Sequence, residues 1–296
     1  MPTLLSGVIP ALTTPFENGE LSLSQLKSNI NKYNDAGFSG YLVLGSTGEA
    51  VMMTEKERLS AVETVRETAG EGMAVVAGTG MQSTSETIGF TNKTADAGAQ
   101  YALVVTPFYY KGQMTFESLT QYYKEVADRS RIPILVYNVP KFTGVNITLD
   151  TVKALSVHPN IAGMKESSAN ISFLSEILNA CPEDFALFQG GGSVLYSSVS
   201  IGAQGGILAL SSIAPSETVA IYKNYCAGDF KKALEIQRKL VEVNQVIVGQ
   251  FGVSGIKCAL DLRGYFGGDP RPPLLPAGSK VKDSVHDLLR NAGLLG

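Results

Sequence analysis

Ile161-Ala162-Gly163-Met164-Lys165-Glu166-Ser167-Ser168 is a short apolar run that delivers one lysine and then two serines. Such a run is too short for a helix and suits a strand covered on both faces. Helical spacing follows at once, over residues 170–179. A strand, a polar end and a returning helix are the unit from which parallel sheets are built. The lysine adds a chemical reading. An ammonium is expensive to bury, and an amine that answers burial by shedding its proton is a nucleophile toward carbonyls. A surface lysine just past a strand end accounts for the octapeptide equally well, so the rest of the chain has to decide.

Working outward, the unit recurs. Apolar runs at 6–14, 40–44, 73–77, 101–105, 132–136, 185–188 and 205–210 read as strands. Helical spacing follows them at 21–35, 54–69, 83–97, 115–128, 149–155, 194–200 and beyond Pro215. With 161–164 and its helix, this gives eight strand–helix units over roughly the first 225 residues. Eight such units close into a (β/α)8 TIM barrel more naturally than into an open sheet. An open doubly wound sheet calls for a GxGxxG turn after its first strand, and the sequence has none there. The remainder reads as helices only (229–248, 253–262 and 280–289), with a proline-rich break at 270–276. The reading is therefore an α/β barrel over 1–225 and a C-terminal helical extension over 226–296, packed together as one structural unit.

Composition narrows the function. The 296 residues are 44% hydrophobic and 17% charged, with a formal net charge of −3 and no basic stripe, which argues against nucleic acid. Cys181, Cys226 and Cys258 lie far apart, and the two histidines, His158 and His286, have no neighbouring ligand cluster. That pattern predicts inert thiols in a reducing compartment and no metal site. Neither a secretory signal at Met1–Pro10 nor an apolar run of membrane-spanning length is visible. The expectation is a cytoplasmic protein with no membrane partner, an organelle matrix being the other compatible compartment.

In a barrel, reactive side chains gather where the strands end. That rule brings together Lys165, Tyr137, Thr106, Tyr109, the Gly45-Ser46-Thr47-Gly48-Glu49 turn and Gly190-Gly191-Gly192. Residues two apart on a strand share a face, so Gly163, Lys165 and Ser167 are expected to point together, with Gly163 leaving room for the lysine stem. These groups suit a Schiff base with an α-keto acid, in which Lys165 attacks the keto carbon and the imine serves as electron sink. Tyr137 could shuttle protons if a hydroxyl such as Thr47 holds its phenol, and amides of the Gly45–Gly48 turn could receive a carboxylate. No cofactor or metal is then needed. Each residue taken alone has a plainer reading: Tyr137 as a half-buried aromatic, the glycine runs as turns or a phosphate loop, Tyr109 and Tyr110 as packing surface. Glu49 and Glu166 read most simply as solvated or helix-start carboxylates.

Taken together and in order, Gly45-Ser46-Thr47-Gly48-Glu49, Tyr137-Asn138-Val139-Pro140 and Gly163-Met164-Lys165-Glu166-Ser167 resemble the dihydrodipicolinate synthase / N-acetylneuraminate lyase family. The resemblance spans essentially the whole chain. It implies a pyruvate-type class I aldolase or lyase, a homotetramer built as a dimer of dimers, acting on a small 2-keto acid and an aldehyde. By the same resemblance Lys165 forms the imine, Tyr137 is the acid/base, and Thr47 relays protons to it. Tyr109 is lent across a dimer interface to a neighbour's relay. Ser46 contacts the pyruvate carboxylate, with Gly45, Ser167, Gly190 and Phe142 also at the substrate.

One position separates the branches of this resemblance. Where dihydrodipicolinate synthases usually carry an arginine for the aldehyde's carboxylate, this chain reads Pro140-Lys141-Phe142-Thr143-Gly144, with Phe142 at that place. A phenyl ring has no donor, and Lys141 is a geometrically poorer substitute. The runs at 106–114, 251–257 and 264–268 look instead like the 4-hydroxy-2-oxoglutarate aldolase branch. The expectation is cleavage of a 4-hydroxy-2-keto acid to pyruvate and an aldehyde. Condensation of pyruvate with aspartate semialdehyde is the enzyme alternative, and a keto-acid-binding barrel without turnover the non-enzyme one.

Overall fold

Eight parallel strands make up the barrel: β1 Gly7–Pro10, β2 Gly40–Val43, β3 Ala74–Gly78, β4 Tyr101–Val105, β5 Ile134–Asn138, β6 Ile161–Glu166, β7 Ala186–Gln189 and β8 Gly205–Leu208. The structure is a computed structural model describing residues 5–295; Met1–Leu4, part of the stretch read for a signal sequence, and Gly296 lie outside the described residues. Pairing runs β1-β8-β7-β6-β5-β4-β3-β2, and an Ala11–Leu42 bridge with Leu12 N–H donating to Leu42 O at 2.9 Å joins the two ends. The helices cover the outside. Ile9, Leu42, Val76, Leu103, Leu135, Phe188 and Ile207 pack the interior, while Val104, Val136, Met164 and Leu187 face the helices. Both faces are buried, which is why the strands read as unbroken apolar runs.

Strand β6 departs from simple alternation. Ile134 pairs with Ile161 but Leu135 pairs with Gly163, so Ala162 is an extra residue, and the register then sets Tyr137 beside Lys165. Gly163 does not serve the lysine stem in the way its place two residues before Lys165 suggests. A Cβ on Gly163 would lie 2.0 Å from the Ala186 carbonyl oxygen, so the glycine admits the neighbouring backbone of β7.

The tail forms helices Phe230–Val243, Gly252–Leu262 and Ser279–Asn291, with a π-helical turn over Asn244–Gln250 after the first. Its Leu240, Val243, Ile256 and Leu289 share one apolar cluster with Val8, Leu12, Tyr41 and Val43 of the barrel. Polar ties reinforce this. Asn29 exchanges two hydrogen bonds of 2.8 Å with the Phe266 backbone, and Tyr33 stacks on Tyr265 with centroids 4.5 Å apart. No helix among the described residues is long and apolar enough to cross a membrane.

A small hairpin that no periodicity announces precedes the first helix. Phe16–Glu17 pairs antiparallel with Glu20–Leu21 around Asn18 and Gly19, whose φ values are 52° and 82°. Asn-Gly is the favoured pair where both turn residues need positive φ. The first helix consequently begins at Leu23, not at 21.

The helix Glu55–Thr68 opens with a full capping box between Thr54 and Glu57. Glu57 also holds Arg271 of the tail, at 2.6 and 3.0 Å. The Arg271 hydrogen bonds hold the Glu57 carboxyl down at about 2. A carboxyl that is more acidic folded than unfolded favours the folded state above its unfolded pKa, and loses that contribution as pH falls through its folded one. Thermal midpoints should therefore drop between about pH 4.5 and about pH 2, and an Arg271→Met variant should start lower and show a flatter fall. Equal slopes for parent and variant would remove this pair from the acid response.

Candidate active site

Lys165 lies within β6, one residue before its end, and only 5% of its surface is exposed. Its register partners are Tyr137 on β5 and Phe188 on β7, both members of the barrel-interior cluster. Its Nζ sits 4.5 Å from the centroid of the Tyr137 ring. Among the described residues no carboxylate lies within ion-pair distance of it. The strand thus delivers an amine into an apolar barrel, against an aromatic face, without a counter-ion. Tyr137 itself is only 6% exposed.

The turn after β2 rises from the strand that lies across the barrel from β6 in the pairing order. Gly45 is buried, Ser46 exposed and Thr47 half-buried. Two short backbone bonds shape it, Gly48 N–H to Gly45 O at 3.0 Å and Glu49 N–H to Ser46 O at 3.2 Å, and Thr14 Oγ1 donates to Gly48 O at 2.6 Å. Leu44 and Glu49, which bracket the turn, have φ of 62° and 55°. Left-handed backbone in residues other than glycine stores about 1–3 kcal/mol each. No hydrogen bond joins Thr47 to Tyr137 among the described residues, so the expected relay is not closed in this chain by itself.

Other expected residues scatter around the rim. Ser167 Oγ is buried and bonds no protein group; a Cβ on Gly190 would fall 1.8 Å from it, so that glycine is what leaves the hydroxyl its space. Phe142 lies on the one-turn helix Pro140–Thr143 and is 65% exposed. Lys141 is no free substitute for an arginine there, because its Nζ donates to Gly249 O at 2.6 Å. Tyr109 is 74% exposed and packs edge-on against Tyr110 at 5.0 Å.

Two carboxylates expected at the surface are buried. Glu166 is fully buried and, being next to Lys165 on a strand, points to the opposite side. It accepts from Asn138 Nδ2 at 2.6 Å and from the Ser168 amide, and Asn138 in turn receives Ile147 N–H at 3.1 Å. This clamp fixes the ends of β5 and β6 to each other directly behind the lysine and tyrosine. Glu49 is 2% exposed. Its Oε1 lies 2.9 Å from Lys257 Nζ, an oblique approach outside hydrogen-bonding angles, so the contact is an ion pair. Its Oε2 accepts Arg271 N–H at 2.8 Å. Burial pulls the Lys257 ammonium below its ordinary range, and the Glu49 carboxylate works against that shift. A sequence signal existed for Lys257, since it is a lone cation in the apolar run Gly255-Ile256-Lys257-Cys258-Ala259-Leu260. No group of three or more His, Cys, Asp or Glu among the described residues is arranged to hold a metal.

The barrel thus carries a buried lysine one residue before the end of its sixth strand, in register with a tyrosine of the fifth. Comparison with known proteins supplies the family. A model of the dihydrodipicolinate synthetase family matches residues 4–292, and the chain belongs to that family. It is 35% identical over 280 residues to a 4-hydroxy-tetrahydrodipicolinate synthase from Exiguobacterium, covering 94% of this chain and 95% of the relative. A protein of the same name from Methanococcus maripaludis is 34% identical over 292 residues, covering 98% and 100%. Among solved structures, dihydrodipicolinate synthase from Aquifex aeolicus superposes with a TM-score of 0.92 at 32% identity, covering 98% of both chains. That from Thermotoga maritima gives 0.93 at 31%, covering 99% and 100%. The 4-hydroxy-2-oxoglutarate branch expected from the sequence finds no support in these relatives, whose names are those of the stated alternative.

Proposed function

We propose that this chain makes or breaks a carbon–carbon bond next to the keto carbon of pyruvate, through an imine on Lys165. The observation that carries the reading is the buried Lys165 amine, without an ion-pair partner among the described residues, in register with Tyr137. Nζ adds to the keto carbon, the carbonyl oxygen leaves as water, and the protonated imine draws electrons from the adjacent carbon. That carbon, deprotonated to an enamine, attacks an aldehyde; in reverse, the aldehyde departs. Tyr137 carries protons, with Thr47 and a Tyr109 lent by a neighbouring copy completing the relay, which accounts for a tyrosine exposed on the isolated chain. A homotetrameric assembly follows from the same reading. Ser46 and the Gly45–Gly48 amides receive the keto-acid carboxylate, while Ser167 and Gly190 line the far side. The imine itself is the electron sink, so neither a metal nor a cofactor has a part.

For the aldehyde, the relatives' names favour aspartate semialdehyde and the synthase direction. Phe142, whose ring offers the distant carboxylate of aspartate semialdehyde no donor, favours the second reading, cleavage of a 4-hydroxy-2-keto acid such as 4-hydroxy-2-oxoglutarate, whose aldehyde carries its carboxylate on the reacting carbon itself and need not reach that position. Pyruvate consumption with aspartate semialdehyde, set against pyruvate release from 4-hydroxy-2-oxoglutarate, ranks them. The synthase reading expects the larger kcat/KM for condensation, and a further rise of about tenfold or more in Phe142→Arg, since a guanidinium pairs a carboxylate bidentately. Faster cleavage in the parent, with condensation unimproved by the arginine, would instead establish the lyase.

A further inference from the structure

We infer that Glu49 is a positioning residue, held by Lys257 and Arg271 of the C-terminal extension so that the Ser46–Thr47 turn keeps the shape that receives the keto-acid carboxylate. The inference rests on the Schiff-base reading for what the turn does, and on geometry alone for how it is held.

The turn cannot be expected to keep its shape unaided. Its two flanking residues, Leu44 and Glu49, both adopt left-handed backbone without being glycine, and such conformations persist only where the surroundings over-determine them. Within the barrel the turn has two internal bonds and the Thr14 hydroxyl. The remaining grip comes from more than 200 residues downstream. Lys257 Nζ lies 2.9 Å from one Glu49 oxygen, donates to Asp269 O at 2.9 Å, and rests 4.7 Å from the Phe16 ring. The Arg271 amide takes the other Glu49 oxygen, and its guanidinium donates to Met52 O at 2.9 Å, just past the turn, while lying 4.2 Å from the same ring. Both partners of the ion pair have side chains only 1% exposed.

Burying two charges is a poor way to gain stability, because apolar residues of similar size do as well or better. It is a good way to fix one geometry, since a carboxylate gripped on both oxygens has nowhere else to go. Here the geometry fixed is that of the segment bearing Ser46 and Thr47. The extension is thereby more than a cover for the barrel: it sets one wall of the site.

The discriminating variant is Glu49→Leu with Lys257→Met, which removes both charges together and so leaves none buried alone. Glu49→Gln with Lys257→Met, which keeps an acceptor for the Arg271 amide, serves if the first does not fold. The control is Arg263→Met, which loosens the extension elsewhere, at Ile213 O and Leu294 O. We expect the paired variant to melt near the parent temperature, yet to exchange the amide hydrogens of 46–49 about tenfold faster or more. Its pyruvate concentration for half-maximal borohydride trapping should rise by about tenfold. Arg263→Met should melt lower while leaving both readouts at parent values. Unchanged exchange and unchanged pyruvate dependence in the paired variant would overturn the inference, as would equal changes in the control. If the parent traps no pyruvate, the Schiff-base reading fails by itself, and amide exchange still decides whether the ion pair holds the turn.

Discussion

Lys165→Met should fold as well as the parent and have essentially no aldolase activity. The substitution keeps most of the length and volume of the side chain while deleting the amine. Lys165 sits 5% exposed with no counter-ion among the described residues, so an unbranched thioether in its place removes a desolvation cost and introduces no cavity. The expected thermal midpoint is equal to or above that of the parent. Turnover is a different matter, because without the amine there is no imine, and without the imine no electron sink for the bond being made or broken. Loss of a covalent nucleophile acts on the scale of about 10⁴-fold or more in kcat. Activity reduced only a few-fold, in a variant shown by mass to lack the lysine, would mean that the keto acid reacts without a covalent link.

Tyr137→Phe should separate catalysis from binding. The phenol forms no protein hydrogen bond among the described residues, so removing it leaves no buried partner unsatisfied and stability should change little. The ring remains beside Lys165 Nζ. What disappears is the proton carrier, an effect of about 10²–10⁴-fold on turnover, while pyruvate is still captured, more slowly, by the lysine. A barrel that only bound keto acids would show no turnover in either form and an affinity that the substitution leaves unchanged.

How far the sequence revealed this molecule can be read from particular residues. The eight strand–helix units were legible because strands buried on both faces are uninterrupted apolar runs, and 101–105 matches its strand Tyr101–Val105 residue for residue. Strand ends were less legible. Tyr137 and Lys165 appeared to follow their strands and in fact lie inside them, because a functional side chain interrupts the apolar pattern before the hydrogen-bond ladder stops. The hairpin around Asn18-Gly19 was missed because strands of two residues carry no periodicity. Lys165 was found by a rule, a lone cation on an apolar run, that applies equally to Lys257. The second was passed over because the rule was tied to strand ends and Lys257 lies on a helix. Glu49 and Glu166 were read as solvated because their partners, Lys257 and Asn138, are brought to them only by the fold. No local window contains that information. The choice of aldehyde illustrates a different limit: Phe142 shows which donor is missing at its position, but not what the site does instead.

The chemistry depends on one amine, and one measurement reads it most directly. Incubation with pyruvate and borohydride, followed by intact-mass and peptide analysis, should show a single reduced pyruvate adduct on Lys165, present in Tyr137→Phe and absent in Lys165→Met. A parent protein that turns over its substrate but acquires no adduct, or acquires it at another lysine, would contradict the account.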